Sequence, residues 1–296
     1  MTEARPIRLG LLQYPVGRPT SIADFARGLD RWLEEGRASA DLLVLPEYAA
    51  VELGAALSRG EATETAELAA MVKAAPDILA AMRNAAKRHR VWFQPGTLPM
   101  RTADGRVINR APLITPEGLI AFQDKRAMTR FEAERWGVSQ GTDPNVFDTP
   151  WGRIGISICY DIEFPKHARV QVMAGAWLIL TPSCTDSLAG FNRVQFSARA
   201  RALENQCYVA ITPTIGEAPW STALDVNRGR AGVFGPMDRG FPVDGILAEG
   251  QMDAPGWIFC TLDPSLIETV RRDGAVLNHR DWPRAAFAPP KTAHFA

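Results

Sequence analysis

The chain has 296 residues, of which 46% are apolar and 22% are charged, so it carries enough hydrophobic material for a large folded core and is not a disordered protein. Its 33 basic residues equal its 33 acidic residues, and this balance excludes the broad positive field by which proteins bind nucleic acid. Its apolar runs are far shorter than the roughly 20 residues that cross a bilayer, so no membrane partner is expected. Because residues 1–7 lack a signal-peptide pattern, we expect a cytoplasmic protein.

Strand and helix patterns alternate in the first part of the chain. The spacing of apolar residues predicts, in order, a strand at 7–14, a helix at 21–35, a strand at 41–45, helices at 68–73 and 76–90, and a strand at 91–97. Pro76 begins the second of the two alanine-rich helices, at a position that proline favours. A strand, a helix and a second strand in this order predict a parallel β-α-β unit.

The middle of the chain changes to an antiparallel style and then returns to alternation. Turn dipeptides at 104–105 and 117–118 separate β-rich stretches, as in a meander. The predicted elements are strands at 106–114, 119–122, 145–147 and 153–158, a helix at 163–174, a strand at 177–181, a helix at 192–206, a strand at 207–211, and further strands within 229–263. Because no linker interrupts this pattern, we predict one domain over 1–296, with a mixed sheet and helices outside. The tail at 281–296 is expected to lie over the surface or a neighbouring subunit.

Three residues stand where the end of a strand could present a reactive group. Cys159 lies between a predicted strand and a helix-like segment, and such an elbow places a side chain beside backbone N–H groups that can bind an oxyanion. Glu47 follows the strand at 41–45, and Lys125 ends another strand as one of only five lysines. Taken singly, each also fits an ordinary role, as a buried strand-end cysteine, a loop carboxylate and a solvated lysine.

Metal and redox chemistry have no support in the sequence. The four cysteines, at 159, 184, 207 and 260, lack the close spacing of a zinc or CxxC site. The four histidines form no metal-binding motif, and His167, which has neither a motif nor an evident partner, is given a structural role. We therefore predict free thiols, no metal and no cofactor.

Four blocks in a fixed order carry a resemblance. They are an apolar strand ending in Pro-Glu (42–47), a lysine seven residues before a glutamate (125–132), Gly-x-x-x-Cys-Tyr-Asp-x-x-Phe-Pro (155–165) and Arg-Ala-Leu-Glu-Asn (201–205). Any one block is a weak signal, whereas four in this order are specific. The sequence resembles the nitrilase, or carbon-nitrogen hydrolase, superfamily over nearly the whole chain.

The resemblance implies a fold, an activity and a partner. The fold is a four-layer α-β-β-α sandwich with two mixed β-sheets, which dimerises so that helices cover helices. The activity is hydrolysis of linear amides through a thioester on Cys159, with Glu47 as the base and Lys125 as the cation that stabilises the oxyanion. A second glutamate orients the lysine, and the spacing gives that role to Glu132, which leaves Glu134 as a surface acid. The partners are a small amide substrate and further copies of the chain, as a homodimer or a larger homo-oligomer.

The residues after the cysteine bear on the substrate. Relatives that resemble true nitrilases have Trp-Glu there, whereas amidase-like members have Tyr-Asp, as this chain has at 160–161. Members that cleave N-carbamoyl amino acids have two arginines where this chain has Ile162 and Glu163, so their grip on a substrate carboxylate is missing. The resemblance therefore predicts a small neutral or amine-bearing amide.

Three positions are predicted to contact that substrate. The backbone N–H of Tyr160 would face the oxyanion. The segment 181–186 follows the next strand and is expected to line the mouth of the site through Ser183 and Cys184, the latter as a wall residue rather than a second nucleophile. Within the fourth block, 204–205 is expected to satisfy backbone groups.

Other functions stay open at this point. The main alternatives are a nitrilase acting on a small nitrile and a non-catalytic scaffold of the same fold. A Cys-His protease would need a histidine that no spacing nominates. Acyl transfer to an acceptor other than water is disfavoured, because no second domain is predicted.

Overall fold

Two mixed β-sheets lie face to face between layers of helices in the computed structural model, which describes residues 5–59, 61 and 63–282. The strands are β1 (Ile7–Pro15), β2 (Leu42–Leu45), β3 (Trp92–Pro95), β4 (Leu98–Arg101), β5 (Val107–Ile114), β6 (Ile120–Asp124), β7 (Val146–Thr149), β8 (Gly152–Ile156), β9 (Leu178–Ser183), β10 (Tyr208–Glu217), β11 (Val226–Asn227), β12 (Gly232–Phe234), β13 (Ile246–Glu249) and β14 (Gly256–Leu262). The α-helices are α1 (Ile22–Gly36), α2 (Gly54–Leu57), α3 (Glu64–His89), α4 (Pro165–Met173), α5 (Leu188–Asn205), α6 (Pro264–Asp273) and α7 (Asn278–Asp281). Short helical turns cover Ala49–Leu53, Phe131–Trp136 and Cys159–Glu163.

The first sheet is built around β1. This strand pairs in parallel with β2 and antiparallel with β14, and β2 pairs in parallel with β3. β5 joins β3, β4 and β6 through antiparallel pairs. The predicted β-α-β unit and the predicted meander are therefore parts of one sheet.

The second sheet has a parallel centre and antiparallel edges. β8, β9 and β10 run in parallel, with β7 antiparallel at one side and β12 and β13 at the other. The end of β1 pairs in parallel with β10 at Tyr14 and Thr214, which joins the two sheets. Because β1 and β10 share a direction, the carboxyl ends of the parallel strands in both sheets face the same side of the molecule.

Alternation along the strands divides the apolar side chains between two cores. In β1, Leu9 and Leu11 face the second sheet and share a core with Leu180, whereas Leu12 faces α1 and α3 and shares a core with Phe25. Fully burying one such side chain contributes roughly 1.5–3 kcal/mol, so a slip of one residue in the strand register would be costly. Since apolar residues of α4 and α5 cover the second sheet, the predicted α-β-β-α sandwich is confirmed.

One long helix replaces the two that were predicted at 68–73 and 76–90. α3 continues through Pro76, which lies inside it. A proline in a helix interior costs about 3 kcal/mol. Side chains on both sides of the proline, among them Met71 and Ile78 at 0% exposure, bury enough apolar surface to outweigh that cost.

Other boundaries differ at the ends of elements. The helix predicted at 163–174 begins at Pro165, because the residues before it form a separate turn. α6 was not predicted, although Asp263 caps it and Pro264 takes its first position, a common start signal. Of the predicted tail, 283–296 lies outside the described residues. No described helix combines the length and the apolarity that a membrane span requires.

Candidate active site

Cys159 lies at a tight elbow on the carboxyl side of the second sheet. β8 ends three residues before it, and Cys159 itself begins the short turn that leads to α4. Its φ of 47° is in the left-handed region, which costs a non-glycine residue on the order of 1–3 kcal/mol. The residue is 5% exposed, and its thiol donates to the carbonyl oxygen of Cys184 at 3.6 Å. The backbone is therefore strained at the residue that directs its thiol toward the end of β9.

Lys125 lies between two carboxylates. Directly after β6, its Nζ is 2.8 Å from Glu47 Oε1 and 2.6 Å from Glu132 Oε2. All three side chains are at most 2% exposed. Burial by itself would lower the pKa of Lys125, but the charges of Glu132 and Glu47 outweigh it and raise that pKa well above its ordinary value. The ammonium is therefore permanently charged at physiological pH.

Glu132 is held in its ionised form. It accepts hydrogen bonds from Tyr48 OH at 2.6 Å, from the Thr129 hydroxyl at 2.8 Å and from the Thr129 N–H at 2.9 Å. Burial alone would raise the pKa of Glu132, but Lys125 and these donors lower it below its ordinary value. A carboxylate that is fixed in this way can orient the lysine and does not act as a base.

Glu47 has the opposite tendency. Burial raises its pKa above the ordinary glutamate value, an effect that Lys125 opposes and the charge of Glu132 reinforces. Its Oε2 accepts from the Cys184 N–H at 3.2 Å, and the adjacent Cys159 thiol favours the ionised form of Glu47. A buried carboxylate that touches a thiol and has a raised pKa is suited to accept a proton from that thiol.

The thiol itself is neutral at rest. Burial, with the negative charge of Glu47, raises the pKa of Cys159 well above its ordinary value, and Lys125 opposes this only in part. A thiol with a raised pKa is a weak nucleophile until a base removes its proton. Lys125 by itself would favour the thiolate, and burial together with the charge of Glu47 outweighs that effect.

Asn109 is a contact that the sequence analysis missed. It lies in β5 at 0% exposure, and its Nδ2 donates to Glu47 Oε1 at 2.9 Å and to Glu132 Oε1 at 3.4 Å. One amide group thus holds both carboxylates. The available signal was an asparagine in a mostly apolar strand, because buried polar groups are nearly always hydrogen-bonded.

The family model described as "Carbon-nitrogen hydrolase" matches residues 8–233. This range includes the four predicted catalytic residues, Glu47, Lys125, Glu132 and Cys159. The chain belongs to this family. It is 31% identical over 286 residues to "Probable hydrolase YhcX" of Bacillus subtilis, covering 96% of this chain and 55% of the relative, so it spans about half the length of that protein. It is 27% identical over 260 residues to "Deaminated glutathione amidase" of Synechocystis, covering 82% and 87% of the two chains.

Solved structures agree with the fold of this chain. The carbon-nitrogen hydrolase from Helicobacter pylori G27 superposes with a TM-score of 0.75 at 20% identity, covering 96% of each chain. Saccharomyces cerevisiae Nit3, a member of the nitrilase superfamily, superposes with a TM-score of 0.70 at 22% identity, covering 90% of this chain and 94% of its own. At these identities the likeness concerns the fold.

The predicted substrate contacts lie next to Cys159 in the chain or at the end of β9, where the Cys184 carbonyl accepts from its thiol. Tyr160 is half-buried, and its ring packs edge-on against Phe164 at 4.9 Å. The Ser183 hydroxyl donates to the Thr181 carbonyl at 3.2 Å, so it is occupied within its own strand. Cys184 contacts the site through its backbone, while burial raises the pKa of its thiol to about 12. Cys184 therefore stays protonated, and the roles of these residues toward a substrate remain predictions.

His167 has partners, so the expectation that it has none is wrong. Its Nδ1 is 3.1 Å from Ser157 Oγ, and its Nε2 is 3.6 Å from Asp161 Oδ2. Burial lowers the pKa of His167 to about 4, so the ring is neutral at physiological pH. Ser157 and His167 lie ten residues apart in different elements, so the sequence gives no signal for their contact.

Residues predicted to be structural pair with neighbours in their own helical segments. Glu134 pairs with Arg130 on the surface at 2.9 Å. In the fourth block, Glu204 pairs with Arg201 at 2.7 Å, and the Asn205 amide donates to the Arg201 carbonyl at 3.0 Å. Across the described residues, no group of three or more histidines, cysteines, aspartates or glutamates is arranged to hold a metal ion.

A cavity of about 920 Å³ lies at the opposite, amino-terminal edge of the first sheet. Arginines dominate its lining, but several are already paired: Arg8 lies 2.7 Å from Asp41, and Arg37 lies 2.7 Å from Glu34. None of the four predicted catalytic side chains lines it. Its charges are explained by surface ion pairs and by cations at helix carboxyl ends.

Proposed function

We propose that this carbon-nitrogen hydrolase is an amidase that cleaves the C–N bond of a small linear amide through a thioester on Cys159. The observation that carries the proposal is the Lys125 ammonium, held between Glu47 and Glu132, with Glu47 also in contact with the thiol. Names of relatives support it: besides the Synechocystis protein, "Omega-amidase NIT2-A" of Xenopus laevis is 30% identical over 134 residues.

Acylation begins at the sulfur. The Cys159 sulfur attacks the amide carbon while its proton passes to Glu47, and the carbonyl oxygen becomes an oxyanion. Lys125 and the N–H of Tyr160 stabilise that oxyanion, and each such donor is typically worth ~3–4 kcal/mol. Glu47 then gives its proton to the nitrogen, the C–N bond breaks, and ammonia leaves a thioester behind.

Deacylation uses the same groups. Water attacks the thioester carbon while Glu47 removes a proton from the water. When the C–S bond breaks, that proton returns to sulfur, so the thiol and the carboxylate are restored. One amide and one water yield one carboxylic acid and one ammonia. The proposal is tested by ammonia release across a panel of amides and nitriles, with the mass of the chain measured during turnover for a thioester adduct.

The proposed substrate is a neutral or amine-bearing amide. Ile162 is fully buried in the core and Glu163 is acidic, so the turn after Cys159 offers no cation for a substrate carboxylate. Glu163 lies 3.4 Å from Arg193. This ion pair weakens the expected repulsion between Glu163 and a substrate carboxylate but does not turn it into attraction.

We expect butanamide and 4-aminobutanamide to be cleaved with a kcat/KM about 10-fold higher than succinamate, which corresponds to ~1.4 kcal/mol. The three compounds have similar length and differ in the charge at the far end. Glu163→Gln should reduce the ratio of kcat/KM between butanamide and succinamate. A higher kcat/KM for succinamate than for butanamide would exclude this substrate class.

We also propose that two copies associate through the outer helices of the second sheet. α4 and α5 expose Val170, Met173, Phe196 and Leu203 at 40%, 58%, 61% and 40%. Exposed apolar groups on one layer are typical of interaction surfaces. In such a dimer, α4 and α5 of one copy would pack against α4 and α5 of the other.

Light scattering at micromolar concentration should therefore give the mass of a dimer or a larger assembly. Phe196→Glu should shift that mass toward the monomer of 32.4 kDa, because it places a charge in an apolar contact. Val243→Glu is the matched control, since Val243 is 97% exposed on a loop. A monomeric wild-type chain, or equal effects of both variants, would rule out this interface.

A further inference from the structure

Asp161 is a buried carboxylate that the proposed reaction does not use. It lies two residues after Cys159 and is 0% exposed. Its Oδ1 accepts hydrogen bonds from the backbone N–H of Ala127 at 2.7 Å and of Arg126 at 3.1 Å. Since these two residues directly follow Lys125, one carboxylate connects the segment that carries the sulfur with the segment that carries the ammonium.

The two connected segments belong to different sheets. Cys159 follows β8 of the second sheet, and Lys125 follows β6 of the first. The backbone of Lys125 is fixed within the first sheet, because its N–H donates to the Asn109 carbonyl at 2.8 Å. That bond lies within one sheet, so it does not set the distance from the Lys125 ammonium to the Cys159 sulfur. The bonds to Asp161 join the two sheets and can therefore set that distance.

The neutral ring of His167 lies beside the other oxygen of the Asp161 side chain. His167 lies 3.6 Å from Asp161 Oδ2 and reaches Ser157, two residues before Cys159. Burial raises the pKa of Asp161 to about 7, while the charge of Lys125 and the two N–H donors favour the ionised form. The elbow around the sulfur is thus enclosed by a neutral histidine and a carboxylate whose orientation is fixed.

We propose that Asp161 is a positioning residue, whose carboxylate sets the placement of the Lys125 ammonium relative to the Cys159 sulfur across the two sheets. A misplacement of about 1 Å can cost about 100-fold in rate. This role rests on the proposed amidase function, because it concerns the geometry of the same reaction.

Two substitutions separate position from charge. In Asp161→Asn the amide oxygen can still accept from Ala127 and Arg126, although the negative charge is lost. In Asp161→Ala both the acceptor and the charge are lost. We expect kcat to fall about 100-fold in Asp161→Ala and to stay within about 10-fold of wild type in Asp161→Asn.

A second measurement does not depend on amide turnover. Alkylation of Cys159 by iodoacetamide at pH 8 is followed by mass spectrometry in the same chains. Loss of a nearby negative charge alone would speed alkylation in both variants, because it favours the thiolate. Displacement of Lys125 would slow it in Asp161→Ala only, and we expect a decrease of about 10-fold there.

The controls keep the outcomes distinct. Glu52→Gln alters another buried carboxyl, one that accepts from the Gly17 N–H at 2.6 Å and whose pKa burial raises to about 7, and it should leave both rates unchanged. If the Asp161→Ala variant does not fold, the same two rates are measured on Asp161→Ser instead. Equal losses in the Asn and Ala variants, or no loss in either, would overturn the positioning role. A wild type without turnover on any amide would instead overturn the proposed function, and the alkylation rates would still decide the role of Asp161.

Discussion

Cys159→Ala is expected to lower kcat for amide hydrolysis by at least about 10⁴-fold, because the variant has no sulfur to form the covalent intermediate. The thioester adduct seen by mass spectrometry in the wild type should be absent. The fold should persist, since alanine removes one buried sulfur and leaves the packing around the elbow nearly unchanged. Circular dichroism and thermal unfolding would check this directly.

The matched control for that variant is Cys260→Ala. Cys260 is a free, partly exposed thiol on β14, so its loss should change kcat less than 2-fold, as surface substitutions usually do. Residual activity of Cys159→Ala above a few per cent of wild type would contradict covalent catalysis by this residue. In that case water would attack the amide directly, and Cys159 would have no covalent role.

Glu47→Gln should lower kcat by about 10³-fold, because general-base catalysis typically contributes 10²–10⁴-fold and the amide cannot take a proton from sulfur. The glutamine oxygen can still accept from Lys125, so the ammonium is expected to keep its place. The variant therefore removes the proton acceptor while the position of the ammonium is expected to be kept. Acylation and deacylation should both slow, since the proposed mechanism uses Glu47 in each.

The pH profile gives an independent test of the same residue. Activity requires an ionised Glu47 and a protonated thiol, so it should fall as the pH drops through the pKa of Glu47. Because that pKa is raised by burial, the acid limb should lie above the range of an ordinary glutamate, about 4.3. The limb should disappear in Glu47→Gln. Asp161 also titrates at about 7, so the profile of Asp161→Asn isolates the contribution of Glu47.

Glu52→Gln serves as the control for the loss of a buried carboxyl. It lies close in sequence to Glu47 but bonds to Tyr14 and Gly17. Its pH profile should match that of the wild type. A Glu47→Gln chain that keeps both its kcat and its acid limb would exclude Glu47 as the base.

The residues around the thiol were predicted from two signals in the sequence, their places at the ends of strands and the four ordered blocks that resemble the nitrilase superfamily. Glu47, Lys125 and Cys159 each follow an apolar run, and strands that share a direction bring such ends to one edge of the structure. The motif spacing then selected Glu132 over Glu134, and only Glu132 bonds to Lys125. Local patterns placed these residues at the ends of strands, and the resemblance supplied their roles.

Contacts between distant elements were not visible in the sequence. Asn109 was read only as part of a strand, and His167 was read as unpartnered, because their partners lie 10 to 62 residues away. The break predicted at Pro76 failed for a related reason. The cost of the proline is local, whereas the burial that outweighs it comes from tertiary packing.

The burial of the Cys159 thiol also bears on its resistance to oxidants. Peroxides attack thiolates far more readily than thiols. Burial and the negative charge of Glu47 raise the pKa of this thiol, so under the proposed mechanism the sulfur offers oxidants little thiolate to react with between catalytic cycles. The same features that delay ionisation would thus protect the sulfur from irreversible oxidation.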